Sequence, residues 1–204
     1  MPSLEIESLY NGLVGGVDEA GRGPWAGPVV AAAALFLKPL SPCSSLFNGI
    51  QDSKKLSKLK REQLYQELMV LESFDYGVGI SSVEEIDRLN ILQATFLGME
   101  RAVQSLAQCP QTLLIDGKYI PSFKGIQTIP VIKGDDLSLS IAAASIIAKV
   151  TRDRIMEQLA TIHPVYGWER NAGYGTQHHQ EALKIHGITP HHRKSFAPIK
   201  RLIG

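Results

Sequence analysis

The sequence predicts an α/β protein in which helices flank a mixed β-sheet, with a helical extension at the C-terminal end. Three observations predict it. Apolar runs with strand periodicity come first, helical and strand patterns then alternate, and helical patterns alone occupy the tail. This order is typical of a sheet whose faces are covered by helices. The length of 204 residues favours one domain. We expect a core over residues 1–160 and the extension, packed on it, over residues 161–204.

Two apolar runs near the N-terminus predict a pair of adjacent strands. The first includes Leu13, Val14 and Val17, the second covers residues 29–37, and a glycine-rich loop joins them. Hydrophobic content of 44% supports a real core around such strands. The charge of this segment is concentrated at the joint between the two strands.

Asp18 and Glu19 stand at that joint, directly before the loop. Both are poor strand residues, and ligation of a hard divalent cation would explain their position. Gly21 and Gly23 lack a Cβ, so the backbone there can approach a ligand closely. The alternative is a polar hairpin turn without a ligand.

Helical and strand patterns alternate from residue 57 to residue 162. Ser57 is a good N-cap, and a capping box at residues 82–85 begins a long apolar stripe that Pro110 ends. The predicted elements are a helix after Ser57, a strand over 74–81, a helix over 82–106, strands over 113–115 and 129–132, and helices over about 137–162 and 177–186. Pro130 suggests that the last strand lies at an edge of the sheet.

Composition narrows the class of protein. Formal net charge is +1, and the longest apolar runs are too short to span a bilayer, so we expect no membrane partner. Cys43 and Cys109 have no metal-ligand spacing, which favours a reduced, cytoplasmic protein. From Gly173 onward there are five Lys or Arg and one acid, Glu181. This basic tail is a candidate surface for phosphate contact.

Three predicted strands lead into carboxylates: Asp18 with Glu19, Asp116, and Asp135. Functional groups gather where neighbouring strands of an α/β sheet end in one crevice. Clustered carboxylates repel one another, and divalent cations reverse that repulsion. Oxygen ligands favour Mg²⁺ or Mn²⁺, and two such ions ~4 Å apart suit attack on a phosphodiester. The alternative is that some of these acids only cap helices or close turns.

Further motifs make the chain similar to the ribonuclease HII family. They follow the family's order over residues 14–198 and are Val17-Asp18-Glu19-Ala20-Gly21-Arg22-Gly23-Pro24 with Gly27-Pro28, Asp52-Ser53-Lys54-Lys55-Leu56-Ser57, Leu114-Ile115-Asp116-Gly117, Lys133-Gly134-Asp135, residues 143–153, Gly173-Tyr174-Gly175-Thr176, and His192-Arg193-Lys194-Ser195-Phe196. The resemblance implies a ribonuclease H-like fold. It also implies an endonuclease that acts on RNA/DNA hybrids and incises duplex DNA 5′ of a single ribonucleotide, leaving 3′-hydroxyl and 5′-phosphate ends.

The resemblance also implies roles for individual residues. The carboxylates that match the family's catalytic metal site, for two Mn²⁺ or Mg²⁺ ions, are Asp18, Glu19, Asp116 and Asp135. The residues expected to contact nucleic acid are Gly21, Arg22 and Gly23, which match a loop that senses the ribose 2′-hydroxyl, Tyr174, which matches a tyrosine that stacks on the next sugar, and Lys54, Lys55, Ser145, Lys149 and Arg193. Further phosphate candidates are Lys133, Lys184, Lys194, Lys200 and Arg201. Many family members carry Lys where this chain has Ala172. A monomer is expected.

Three other interpretations remain open at this point. The ribonuclease HIII family has Gly-Thr-Gly where this chain has Gly21-Arg22-Gly23. That family also has an extra N-terminal domain, for which residues 1–17 leave no room. A non-catalytic module that binds RNA/DNA hybrids would be expected to lack at least one of the four carboxylates, and this chain has all four. A nucleotide-binding loop would need the Lys-Ser/Thr ending of a P-loop, which is missing. A metal site among His178, His179, His186, His191 and His192 is disfavoured, because adjacent histidines on a helix point about 100° apart.

Overall fold

A five-stranded mixed sheet forms the centre of the protein, whose computed structural model describes residues 2–38, 50 and 56–204. The strands are β1 (Val14–Ala20), β2 (Val29–Phe36), β3 (Phe74–Ser81), β4 (Thr112–Asp116) and β5 (Gln127–Val131). Their order is β3-β2-β1-β4-β5, so β5 is an edge strand as Pro130 suggested. Cys43 and the Asp52-Ser53-Lys54-Lys55 motif, which holds the predicted contacts Lys54 and Lys55, lie outside the described residues.

The directions of the strands bring three of their ends together. β1 pairs antiparallel with β2 and parallel with β4, and β4 pairs parallel with β5. The C-terminal ends of β1, β4 and β5 therefore lie along one edge of the sheet. The connection from β1 to β4 runs through β2, β3 and the helices between residues 58 and 104, whereas residues 117–126 join β4 to β5 without a helix.

Seven α-helices are present in the described part of the chain. They are α1 (Lys58–Met69), α2 (Val83–Leu89), α3 (Ile91–Gln104), α4 (Leu139–Ile162), α5 (Trp168–Asn171), α6 (Gln177–His186) and α7 (Ala197–Ile203), with short 3₁₀ turns at Glu7–Leu9, Gly134–Asp136 and Pro164–Tyr166. None of these helices is long and apolar enough to cross a membrane. The capping box predicted at Ser82 and Glu85 is confirmed, with both of its hydrogen bonds made.

The prediction of a single helix over residues 82–106 is wrong, because the helix is interrupted at Asn90. Asn90 has a φ of 71°, which an α-helix cannot contain. Its side chain accepts hydrogen bonds from the N–H groups of Leu92 (3.0 Å) and Gln93 (3.2 Å), and so caps α3. Asparagine adopts left-handed conformations more easily than most residues and is a good N-cap, which explains why the break occurs there. The apolar stripe continues across the break and hides it in the sequence.

Helices cover both faces of the sheet. Alternate alanines of β2 point to opposite faces: Ala32 and Ala34 pack with α4 and α1, whereas Ala31 and Ala33 pack with α3. On β1, a Cβ on Gly16 would lie 2.1 Å from the backbone nitrogen of Ile141 in α4. The missing side chain lets α4 lie directly on the strand that carries Asp18.

The C-terminal extension packs on the second half of α4. Its buried cluster includes Trp168, Leu183 and Ile199 from the extension together with Ala26 and Met156 from the preceding part of the chain. α4 runs through the expected boundary at residue 160 and contributes to the clusters on both sides of it. The division into residues 1–160 and 161–204 stays a prediction.

Candidate active site

Two of the predicted carboxylates lie side by side because of the register of the sheet. Val17 of β1 pairs with Ile115 of β4, so the next residues along the parallel strands are Asp18 and Asp116. Side chains alternate along a strand, and Asp18 follows Gly16 on the face that α4 covers. Both acids are residues of the strands themselves and not of the loops that follow the strands.

Asp135 reaches the same edge in a different way from the one predicted. β5 ends at Val131, and Asp135 lies in the 3₁₀ turn Gly134–Asp136 between β5 and α4. The N–H of Gly134 donates a hydrogen bond of 2.7 Å to Oδ1 of Asp116. That bond joins the turn that carries Asp135 to the end of β4, so the two acidic segments are held together.

Asp18 is the most buried of the four acids, with 3% of its surface exposed. Its Oδ1 accepts a 2.7 Å hydrogen bond from the N–H of Glu19, whereas its Oδ2 is buried with no partner among the described residues. Burial raises the pKa of the Asp18 carboxyl well above its ordinary value, and the charges of Glu19 and Asp116 raise it further, against a hydrogen bond with Ser145 that lowers it. No salt bridge to this carboxylate is made within the described residues.

A divalent cation would supply positive charge beside the Asp18 carboxylate. The partnerless Oδ2 of Asp18 is a free oxygen ligand, and the mutual repulsion of Asp18, Glu19 and Asp116 is what a bound cation would relieve. Within residues 2–38, 50 and 56–204, however, no three His, Cys, Asp or Glu side chains are positioned to hold a metal ion as they stand. The four-carboxylate metal site therefore stays a prediction that the donor chemistry supports.

The glycine loop and Tyr174 share one cleft beside these acids. The cleft has a volume of about 210 Å³ and is lined by Glu19, Ala20, Gly21, Arg22, Gly23, Lys149, Arg152 and Tyr174. A Cβ on Gly23 would lie 3.4 Å from Cε1 of Tyr174, so the predicted loop and the predicted aromatic ring are neighbours although 151 positions separate them. Nη1 of Arg22 lies 3.2 Å from Oε1 of Glu19. Tyr174 is 49% exposed, which leaves its ring accessible.

Lys149 lies in the wall of the same cleft and is held by an acid one turn away. Its Nζ is 2.6 Å from Oδ1 of Asp153, and the other oxygen of Asp153 is 3.2 Å from Nη1 of Arg61 in α1. Arg61 also donates to the carbonyl of Leu56 (3.0 Å). This network joins α4 to α1 and fixes the lysine at the cleft. Its predicted phosphate contact stays a prediction.

Two residues expected to touch nucleic acid are buried, and their direct contact with the strand stays a prediction. Arg193 is 0% exposed, and its guanidinium donates to backbone carbonyl groups of residues 21–28. Ser145 is 3% exposed and hydrogen bonds with Asp18. Both residues support the site from behind. Sequence motifs mark a residue as important but do not distinguish contact from support.

A buried histidine pair beneath Tyr174 was missed as a supporting feature. The N–H of Thr189 donates to Nδ1 of His192 (2.9 Å), so neutral His192 carries its proton on Nε2 and donates it to Nε2 of His179 (3.0 Å). Nδ1–H of His179 then donates to the carbonyl oxygen of Tyr174 (3.0 Å). Nε1 of Trp168 also donates to Nε2 of His179 (3.3 Å). These contacts fix both tautomers and engage all four ring nitrogens of the pair.

Comparison with solved structures defines the class of the fold. A crystal structure of the ribonuclease H2 from Pyrococcus horikoshii OT3 matches with a TM-score of 0.73 and 30% identity, over 93% of this chain and 96% of that chain. A structure of Bst-RNase HIII in complex with Mn²⁺ shares the fold with a TM-score of 0.67 and 20% identity, over 94% of this chain and 69% of that chain. The fold is ribonuclease H-like, and the predicted fold class is confirmed.

Sequence comparison then identifies the family. The model of the family described as Ribonuclease HII matches residues 15–199. A relative described as Ribonuclease HII from Gluconobacter oxydans (strain 621H) is 52% identical over 203 residues, which cover 100% of this chain and 97% of the relative. The chain belongs to the ribonuclease HII family. It is a hydrolase of the endonuclease class, and the family acts on the RNA of RNA/DNA hybrids.

Proposed function

We propose that this enzyme incises duplex DNA on the 5′ side of a single embedded ribonucleotide, as well as the RNA strand of hybrids, and leaves 3′-hydroxyl and 5′-phosphate ends. One observation carries the proposal. The loop Gly21-Arg22-Gly23 and the exposed ring of Tyr174 meet in one cleft that Glu19 also lines. The loop that would contact the ribose 2′-hydroxyl and the ring that would contact the next sugar therefore lie beside the carboxylates that would serve the chemistry.

The four acids Asp18, Glu19, Asp116 and Asp135 would hold two Mg²⁺ or Mn²⁺ ions. Such ions, when bound, supply an activated water and stabilise the charge that develops on the phosphate oxygens. The protein itself contributes orientation: Ser145 and the N–H of Glu19 hold the Asp18 carboxylate, and the N–H of Gly134 holds that of Asp116.

Selection of the ribonucleotide follows from two contacts. The 2′-hydroxyl is the group by which a protein distinguishes RNA from DNA, and glycines let backbone groups approach it within hydrogen-bond distance. The ring of Tyr174 packs on the sugar of the following deoxynucleotide and would clash with a second 2′-hydroxyl. Lys149, fixed by Asp153, neutralises a backbone phosphate at the wall of the cleft.

Cleavage of defined duplexes tests this function. A labelled duplex with one ribonucleotide is incubated with the enzyme in Mn²⁺, in Mg²⁺ and in EDTA, beside an all-DNA duplex and an all-RNA hybrid of the same sequence. The expected result is one cut 5′ of the ribonucleotide, dependent on metal and absent from the all-DNA duplex. Mapping of the ends then checks the 3′-hydroxyl and 5′-phosphate.

The variant Asp116→Asn is the matched control, because it removes a ligand charge and changes little volume. We expect it to fold and to lose cleavage, which also excludes a contaminating nuclease. Binding of the single-ribonucleotide duplex without cleavage by the wild type in either metal would favour the non-catalytic binding module instead. Wild-type rates from Asp116→Asn would remove that residue from the catalytic set.

A further inference from the structure

Two buried guanidinium groups lie beneath the loop of residues 21–28 and hold its backbone. Arg193 donates to the carbonyl oxygens of Gly27 (Nε, 2.9 Å), Arg22 (Nη1, 3.0 Å), Gly21 (Nη2, 2.6 Å) and Pro28 (Nη2, 3.1 Å). Arg152 donates to those of Pro28 (Nε, 3.0 Å), Ala172 (Nη1, 3.0 Å) and Ala26 (Nη2, 3.1 Å). Together they bind five of the eight carbonyl groups of the loop, and they share Pro28.

No salt bridge within the described residues neutralises this pair directly. Arg152 and Arg193 are 1% and 0% exposed, and neither takes part in a salt bridge in the part of the chain that the structure describes. Burial lowers the pKa of Arg152 to about 10, and burial together with the charge of Arg152 lowers that of Arg193 to about 9, while the more distant charges of Asp153 and Asp87 oppose these shifts. Both groups stay charged at neutral pH. A buried cation without a direct carboxylate partner favours the approach of an anion to the surface above it.

The carbonyl contacts determine where the amide groups of the loop point. In a trans peptide the C=O of one residue and the N–H of the next point in opposite directions. Because the carbonyls of Gly21 and Arg22 point inward to Arg193, the N–H groups of Arg22 and Gly23 point outward. Neither N–H donates to an acceptor among the described residues, and both residues line the cleft.

The contact leaves no room for a different side chain at the start of the loop. Gly21 has a φ of 99°, and a Cβ there would lie 2.0 Å from Nε of Arg152. The planar fork of arginine presents five N–H donors in fixed directions, whereas a lysine ammonium is a single point with three donors. A lysine would keep the charge at either position but could not hold the same set of carbonyl groups.

We propose that Arg152 and Arg193 are positioning residues that turn the N–H groups of Arg22 and Gly23 into the cleft, where those groups, with the positive charge beneath them, bind an anionic phosphate oxygen of the nucleic-acid strand. This inference rests on the proposed function, because the strand that binds is the one that the enzyme cuts.

Steady-state kinetics on the single-ribonucleotide duplex separates positioning from mere support. For Arg193→Lys and for Arg152→Lys we expect KM to rise about 10-fold, the effect of losing roughly one hydrogen bond to a charged group. For Arg193→Gln, which also loses the charge, the salt dependence of duplex binding falls as well. Leu68→Ala, which opens a cavity between α1 and α4, is the control for lost stability: it lowers the active fraction and kcat but leaves KM unchanged.

A second measurement does not depend on a variant that folds. The wild-type protein, labelled with ¹⁵N, is titrated with the same duplex in EDTA, so that no cleavage takes place. We expect the amide resonances of Arg22 and Gly23 to shift on binding. Unshifted amides at both positions, or an unchanged KM in both Lys variants, would overturn the inference. Failure of the wild type to cleave in Mn²⁺ would reject the proposed function alone, and the amide shifts would still decide the inference.

Discussion

At the scale of single residues, Asp18 shows how a site can oppose the stability of the fold that carries it. Its Oδ2 is buried without a partner in the described structure, and two further acids raise the pKa of its carboxyl. A raised pKa in the folded state means that stability is present below the unfolded value of 3.8 and is lost as the pH rises toward the raised pKa. At neutral pH without metal, the ionised carboxylate therefore destabilises the protein.

The variant Asp18→Asn should for that reason be more stable than the wild type in EDTA at pH 7.5. We expect the free energy of unfolding to rise by about 1–2 kcal/mol, the usual cost of a buried unsatisfied group. Urea denaturation measures it, with Glu169→Gln at an exposed position as the control for one lost charge. Added Mg²⁺ should stabilise the wild type more than the variant. Equal stability in EDTA would show that the buried carboxylate carries no penalty.

Tyr174 is held by its backbone and free at its ring. Its N–H donates to the carbonyl of Asn171 (2.9 Å), and its own carbonyl accepts from His179 (3.0 Å). Stacking of a ring on a nucleotide is worth ~1–3 kcal/mol. We expect Tyr174→Ala to slow cleavage at a single ribonucleotide by about 10- to 100-fold in consequence.

The variant Tyr174→Phe decides which part of the side chain acts. A mild effect indicates stacking, and an effect as severe as that of Ala indicates the hydroxyl. Calorimetry should give unchanged metal affinity in both variants, and Tyr76→Ala on β3 controls for loss of an exposed tyrosine elsewhere. Wild-type rates from Tyr174→Ala would contradict the role and leave this tyrosine as a packed loop residue.

At the scale of secondary-structure elements, sequence patterns predicted the sheet well and its irregularities poorly. Alternation in β3 and the apolar runs of β1, β2 and β4 are direct consequences of burial on one or two faces. The break at Asn90 and the 3₁₀ turn around Asp135 depend on backbone conformation, which the apolar pattern does not record. The four acids and the glycine loop are visible as candidates in the sequence because their chemistry is local, and their roles stay predictions.

The supporting groups were not predictable in the same way. Arg193 lies at the end of the chain and Arg152 in the middle of α4, yet both bind the same loop. A motif shows that an arginine is present, and only the fold shows whether it faces solvent or backbone. The sequence holds one indication that Arg152 is buried. It lies seven residues, or about two helical turns, after Ser145, and therefore on the same face of α4.

The C-terminal extension supplies a prediction about pH. Burial, and then the neighbouring His179, lower the pKa of His192 from 6.5 in the unfolded chain to about 4. Between these values the unfolded chain binds a proton that the folded protein does not, so stability falls as the pH falls. The slope approaches about 1.4 kcal/mol per pH unit for this residue.

Urea denaturation in EDTA between pH 7.5 and 4.5 measures the slope. We expect the difference in stability between the wild type and His192→Gln to shrink steadily as the pH falls below 6.5. His178→Gln, at an exposed position of α6, is the control for replacing a histidine at the surface. Parallel curves for the wild type and His192→Gln would show that the buried pair is protonated without cost.

At the scale of the whole molecule, exposed Lys and Arg residues are present on the C-terminal extension, although the formal net charge of the chain is only +1. Lys184, Lys194, Lys200 and Arg201 are all exposed. Deleting the tail from Thr189 is a poor test of their role, because it also removes the buried His192 and Arg193. Substitution at the surface avoids that damage.

We expect the fourfold change to Gln at positions 184, 194, 200 and 201 to weaken duplex binding and reduce its salt dependence. The slope of log K against log salt falls by ~0.9 for each phosphate that the protein no longer neutralises. Titration in an Asp116→Asn background prevents cleavage during the measurement, and circular dichroism checks the fold. An unchanged slope would show that this surface does not touch the strand.

The hydrogen bonds of Arg193 have a consequence for how the protein comes into being. The bond to Gly21 joins residues that are 172 positions apart. Strands β1 and β2 are synthesised well before the guanidinium that orients the loop between them. Contacts of such long range also form late in folding, because closing a long loop costs entropy first. Until residue 193 has been synthesised, a nascent chain therefore carries Asp18 and Glu19 without the oriented loop that we propose receives the substrate strand.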